Sequence, residues 1–296
     1  MEKRAVVLVF LTAIVSGVSI FANKFAVSGI NSSVFTFLKN SMVALFLFSL
    51  ILLLGELPRL RSLTKKNWLM LALVGFVGGS LPFLLYFRGL QLTSSSNASF
   101  IHKTMFVYVI VLAALFLKEK INKTVVLSAL ALLVGNALII GFDHLAIGDL
   151  LIVAATMLWA IENVLSKHLL KDIPWKLVAF SRMFFGSLFI LCFLALTDQL
   201  HFVGTLSSAQ IGWILLTSAF LVLYTLTWYG GLSGVKVSTA ASILCLGSVI
   251  TTLLDHYFFM ASLAWTQLIG MLLLVVGVFG TLGITKLIFA HNARWS

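Results

Sequence analysis

Hydrophobic positions in this chain do not alternate with polar ones, and they are not confined to one face of a short helix. They run on, broken by brief polar segments. A helix needs about 20 apolar residues to cross a bilayer. The runs predict ten such spans, at about 5–27, 32–54, 68–90, 93–117, 123–141, 148–170, 175–197, 211–232, 238–259 and 266–288. Strands do not compete, because a membrane barrel reads as segments of about ten alternating residues.

The polar segments carry a second pattern. Lys3 and Arg4 precede the first span, and Arg59, Arg61, Lys65 and Lys66 follow the second. Lys118, Lys120 and Lys123 follow the fourth, Lys167, Lys171 and Lys176 the sixth, Lys236 the eighth, and Lys286 and Arg294 the tenth. The segments after the odd-numbered spans carry none, with Arg88 lying just before one of them. Basic residues concentrate in cytoplasmic loops, so the alternation predicts cytoplasmic termini and supports the span count.

The two halves also repeat. Asn23-Lys24 through Phe37-Leu38-Lys39 overlies Ser166-Lys167 through Phe180-Ser181-Arg182. Tyr86-Phe87-Arg88-Gly89-Leu90 overlies Trp228-Tyr229-Gly230-Gly231-Leu232 at nearly the same offset, and Ser128 and Gly135 match Gly270 and Gly277. Five spans per half is an odd number, so the second half enters the membrane upside down. The expected fold is an all-α integral membrane protein of ten transmembrane helices, built as two inverted five-helix repeats, 1–141 and 142–296. Inverted repeats are a transporter device.

Composition closes off other classes. Of 296 residues, 61% are hydrophobic and 10% charged, against about 25% charged in a soluble domain. Mean hydropathy is +1.12. Soluble and disordered classes are excluded. The net charge of +11 does not indicate a nucleic-acid partner, because it sits in the short loops. Cys192 and Cys245 lie inside apolar runs and indicate no disulfide framework. The first span is longer than a signal-peptide core and lacks a small-residue cleavage pattern.

Several local features resemble the EamA-domain family of the drug/metabolite transporter superfamily. Trp159-Ala160-Ile161-Glu162-Asn163 precedes Lys167, Lys39 and Arg182 sit in the second helix of each half, and Leu117-Lys118-Glu119-Lys120 ends the fourth span. The chain departs from the family pattern near Ser262, where a second glutamate is missing, and near Met105 and Ser248, where a fourth-helix proline is usual. The resemblance implies that spans 1–4 and 6–9 line a pathway and that spans 5 and 10 are peripheral.

Charges at membrane depth face a cavity or a partner by default. Glu162 shares a helix face with Trp159, Asn163 and Ser166. It is expected either to pair structurally with Arg182 or Lys39, or to serve as a substrate or proton site. His102-Lys103 in span 4 is expected to line a cavity. Ser238, Ser242, Cys245, Ser248, Thr252 and Asp255 form one stripe in span 9, read as cavity wall, with Asp255 and His256 near the outer end and either part of that wall or only interfacial. Lys24 either snorkels or stays at depth. Tyr86, Tyr108, Trp159, Trp228 and Tyr229 are substrate stackers or packing and belt anchors. An H-x4-D spacing at His144 and Asp149 lacks the context of an enzyme motif, and Asp143, His144 and Asp149 have no metal-site spacing.

The expected function is a secondary transporter moving a small metabolite across the cell membrane by alternating access, in the export direction. The expected substrate-binding residues are Glu162, Asn163, Trp159, Lys39, Arg182, His102, Lys103, Asp255, Tyr86 and Tyr229. Basic residues outnumber acidic ones at depth, which favours an amino acid or organic anion. Proton coupling is a further possibility, and neither cofactor, metal nor nucleic acid is expected. The rival classes are a membrane-embedded enzyme and a passive channel. Oligomeric state is not legible.

Overall fold

In a bilayer each backbone N–H and C=O must be satisfied within its own segment, so long apolar runs become helices. The computed structural model of the chain describes residues 3–140, 146–260 and 263–283. Among these, nine helical stretches are long and apolar enough to cross a membrane. They are α1 (Lys3–Ser28), α2 (Ser32–Leu53), a third running through α4 (Lys65–Val74) and α5 (Leu81–Leu92), and a fourth through α6 (Ser95–Lys103) and α7 (Met105–Phe116). Then come α9 (Ile147–Leu169), α10 (Trp175–Leu196), α11 (Ser208–Gly234), a stretch through α12 (Val237–Leu244) and α13 (Leu246–Phe259), and α14 (Trp265–Leu282). The predicted fifth span is the apolar helix α8 (Lys123–Ile140), which the nine leave out on length. The short α3 (Leu57–Arg61) lies in the loop after α2. Asp143, His144, Ser262, Lys286, Arg294 and the end of the last predicted span lie outside the described residues.

Three of the membrane stretches are not continuous α-helix. Between α4 and α5 the chain widens into a π-helical segment, Gly75–Ser80. Pro82, in the first turn of α5, has no N–H to give the carbonyl of Gly78 four residues earlier. The other two breaks need no proline. α6 and α7 part at Thr104, and α12 and α13 part at Cys245, each through a tight turn in which Val107 N donates to Thr104 O at 2.9 Å and Ser248 N to Cys245 O at 3.0 Å. The first break adjoins Met105 and the second lies three residues before Ser248, the positions where the resemblance implies a proline.

Helices without a hydrophobic drive between them associate through small residues and close backbone approach. α8 packs along α14 with Gly135 against Gly270, where a Cβ on Gly135 would lie 2.7 Å from the Gly270 carbonyl oxygen. The π-helical segment crosses α10 with Gly79 against Gly186, where a Cβ on Gly186 would lie 2.7 Å from the Gly79 Cα. Large apolar side chains such as Leu53, Leu69 and Leu115 point outward, as a lipid-facing surface requires.

The loops sort onto two faces. On one, Lys176 in the first turn of α10 pairs with Glu56 ahead of α3 at 2.5 Å, and Glu119 after α7 accepts from Val237 N at 3.0 Å and from the Ser238 hydroxyl at the start of α12. On the other, Asn31 donates to Gln199 Oε1 at 3.0 Å, Gln210 to Gly29 O at 2.6 Å, and Ser95 to Asp255 at 2.9 Å. Segments after even-numbered predicted spans meet one another, as do those after odd-numbered ones.

Candidate functional site

Buried polar side chains converge on a cavity of about 70 Å³ between α1, α2, α5, α6, α7, α9, α10 and α11. Its walls differ in chemistry. One is hydroxyl and amide, from Ser16, Ser19 and Asn23 of α1. A second is aromatic, from Phe83, Tyr86, His102 and Trp159. The charges are Lys39, Glu162 and Arg182.

Glu162, fully buried in α9, is held firmly on one oxygen. Its Oε1 accepts from the Tyr229 hydroxyl and from the Ser166 hydroxyl, each at 2.5 Å. Its Oε2 lies 3.7 Å from Arg182 Nη2. Arg182, from α10, also donates to Gly78 O at 3.1 Å, the carbonyl that Pro82 leaves unpaired. The indole of Trp159 donates to the same carbonyl at 2.9 Å, and Asn40 Nδ2 donates to the neighbouring Gly79 O at 2.7 Å. The proline and the wide turn before it therefore create acceptors that orient side chains of α2, α9 and α10. Among the described residues Glu162 Oε2, Arg182 Nε and the Tyr86 hydroxyl are buried without a hydrogen-bond partner, and these three residues line the cavity.

Lys39, from α2, is as deeply buried but differently served. Its ammonium donates to Asn23 Oδ1 at 2.7 Å and sits over the rings of Phe87 and Phe35, 4.9 and 5.4 Å from their centroids. Asn23 in turn donates to Ser19 Oγ at 3.0 Å. Trp159 meets His102, Phe83 and Tyr86 with ring centroids 5.1, 5.2 and 5.3 Å away, so the aromatic wall is one contiguous cluster.

A model of the EamA-like transporter family matches residues 3–141 and again residues 146–283. The chain belongs to the EamA-like transporter family. That family is part of the drug/metabolite transporter superfamily. The chain is 28% identical over 271 residues to YhbE, an uncharacterized inner membrane transporter of Escherichia coli, covering 88% of this chain and 82% of that one. It is 26% identical over 241 residues to an uncharacterized transporter of Synechocystis, covering 75% and 67%. It is 25% identical over 230 residues to the uncharacterized transporter YetK of Bacillus subtilis, covering 74% and 69%. A solved crystal structure superposes with a TM-score of 0.77 at 16% identity, covering 97% of this chain and 99% of that one, which shows a shared fold. The protein is thus a multi-pass membrane transporter, with a small molecule and the bilayer as its partners.

Seven of the ten expected site residues line this transporter's cavity: Lys39, Tyr86, His102, Trp159, Glu162, Asn163 and Arg182. The Asn163 amide is spent on Trp228 Nε1 and Met105 Sδ, at 3.2 and 3.3 Å. Tyr229 stands behind the cavity and supports Glu162. His102 lines the cavity, and the Lys103 ammonium, 3.5 Å from His102 Nδ1, donates to Ser16 Oγ of the cavity wall at 2.6 Å and packs against Gly247 of α13. Asp255 is not in the cavity but at the far end of α13, accepting from Ser95 at the start of α6. The stripe it ends faces helix packing rather than the cavity: Ser242 bonds the Ser238 carbonyl at 2.9 Å and Ser248 bonds Asn136 of α8 at 2.8 Å. Asp149 anchors the start of α9, accepting from Ala146 N and Thr93. Lys24 caps α5, donating to the carbonyls of Leu90 and Thr93.

Sequence reasoning did not single out Ser16, Ser19, Asn40, Tyr224 or the Gly78 carbonyl. One signal was readable for the last. A proline inside an apolar span frees the carbonyl four residues before it.

Proposed function

We propose that this protein is a secondary transporter for a small amino or organic acid that works by alternating access, with the cavity between Lys39 and the Glu162–Arg182 pair as its substrate site. The observation that carries the reading is the set of polar atoms without a hydrogen-bond partner on Glu162, Arg182 and Tyr86, buried at membrane depth beside an aromatic wall. Polar atoms left bare in hydrocarbon are costly. A substrate offering complementary groups offsets that cost. Two amines and a guanidinium, Lys39, Lys103 and Arg182, lie at this depth against one carboxylate, Glu162, and favour an anionic or zwitterionic ligand.

Alternating access rests on two inverted five-helix repeats, residues 1–141 and 142–296, with α8 as the fifth span. Three pairings support them. The family model matches twice. Lys24 and Lys167 occupy corresponding places and each caps a helix end, Lys24 at Leu90 and Thr93, Lys167 at Leu232 and Ser233. The breaks at Thr104 and Cys245 also correspond, and discontinuous helices at the repeat interface are a transporter feature. The Lys/Arg alternation puts both termini in the cytoplasm of a cell membrane. Cysteines placed at Ser33 and Ser207 then label from outside and one at Ser62 does not; external labelling at Ser62 contradicts the orientation.

Uptake of labelled metabolites into proteoliposomes tests the function. Saturable flux with counterflow of amino or organic acids is expected, and export is read by controlling insertion direction. Absence of flux for every acid, or flux without saturation, contradicts the reading. Glu162 is the carboxylate at the cavity, and dependence of that flux on a pH gradient would assign it a proton.

A further inference from the structure

Resting on the reading of the cavity as the substrate site, we propose that Lys39 with Asn23 forms a subsite for a single carboxylate, and that the Glu162–Arg182 end takes none. Lys39 is 1% exposed. An ammonium has three N–H donors, and this one spends one of them, on Asn23 Oδ1. The nearest other groups recorded around it are the faces of Phe35 and Phe87. Among the described residues no carboxylate comes within ion-pair distance. Asn23 fixes the ammonium without neutralising it, and Asn23 is itself fixed by Ser19.

Arg182 is the contrast. Glu162 lies 3.7 Å away and the Gly78 carbonyl takes another of its donors, so that end of the cavity is close to neutral. Among the residues that line the cavity, the uncompensated positive charge therefore sits at the Lys39 end. A carboxylate entering there meets two free ammonium N–H groups, and the Ser16 and Ser19 hydroxyls line the same wall. One ammonium with two free N–H groups takes one carboxylate, and Lys103, whose ammonium donates to Ser16 Oγ, is not among the residues that line the cavity. The rest of the ligand lies against Trp159, Tyr86 and His102.

The test is ligand-induced thermal stabilisation of the purified transporter by matched pairs: lactate and lactamide, benzoate and benzamide, alanine and alaninamide. The parent should be stabilised by at least one acid and by that acid about tenfold or more over its amide in apparent affinity. Lys39→Arg should keep the preference and Lys39→Met should lose it. Asn23→Asp is the sharper variant, because it changes little in size and supplies Lys39 with an internal carboxylate. It should melt higher than the parent without ligand and lose stabilisation by acids about tenfold or more. Amides equal to acids in the parent, or acid affinity in Asn23→Asp within a factor of about three of the parent, would overturn the subsite while leaving the transport reading intact. If no acid or amide of the panel binds and no metabolite exchanges in proteoliposomes, both fail together.

Discussion

Lys39 on α2 and Arg182 on α10 face the same cavity, yet the chain serves them by opposite means. Beside Arg182 it places a carboxylate, and then secures that carboxylate with Tyr229 and Ser166. Beside Lys39 it places an amide, and secures that amide with Ser19. In the proposed repeat pairing Ser19 of α1 falls where Glu162 falls on α9, and Asn23 where Ser166 does, so two differences between the paired helices separate a compensated cation from an uncompensated one. A basic residue at membrane depth says little by itself about the charge of a site. The side chain one helix away decides it.

If this contrast is right, the two ends respond unequally to loss of a partner. The largest effect belongs to Glu162→Gln, which strands the Arg182 guanidinium. Removing one member of a buried pair costs roughly 3–5 kcal/mol, read as a lower unfolding midpoint in detergent. Adding Arg182→Met to Glu162→Gln should recover most of that loss, since replacing both members with apolar groups is often neutral. If the double variant is no more stable than the single one, the pair is not what holds this end. Tyr229→Phe comes next. It removes one hydrogen bond to a charged group, worth about 2 kcal/mol, and its stability should fall accordingly. Smallest is Ser19→Ala, which removes a bond between neutral groups and should cost about 1 kcal/mol. A Ser19→Ala loss as large as that of Tyr229→Phe would erase the asymmetry.

How much of this was legible beforehand follows from the range of each interaction. The spans were legible because they are properties of contiguous residues. Glu162 on one face with Trp159, Asn163 and Ser166 was legible too, because i, i+3, i+4 and i+7 positions share a face by helix geometry. Which cation meets Glu162 was not, since Lys39 and Arg182 are equally basic and equally deep in sequence terms. The choice is made by the crossing of α10 with the π-helical segment, where Gly79 and Gly186 let two backbones touch. His102 and Lys103 were read as one unit. Both lie on α6 ahead of the break at Thr104, with the ammonium 3.5 Å from the imidazole Nδ1; the imidazole lines the cavity and the ammonium is taken up by Ser16 and packed against Gly247. Asp255 reads either as the end of a cavity wall or as an interfacial residue, because spacing gives a stripe but not its direction. That stripe turns to α8 and to its own backbone.

The most direct test of the cavity as the transport site is counterflow of labelled amino and organic acids in proteoliposomes carrying the parent or Glu162→Gln, each first confirmed as a folded, monodisperse species. Glu162 is the carboxylate at the cavity and Arg182 its cation, so the account predicts saturable counterflow in the parent. It predicts a loss of about tenfold or more in the variant, along with any pH dependence the parent shows. Near-parent flux in Glu162→Gln, with an unchanged pH profile, would contradict it and return Glu162 to a purely structural role.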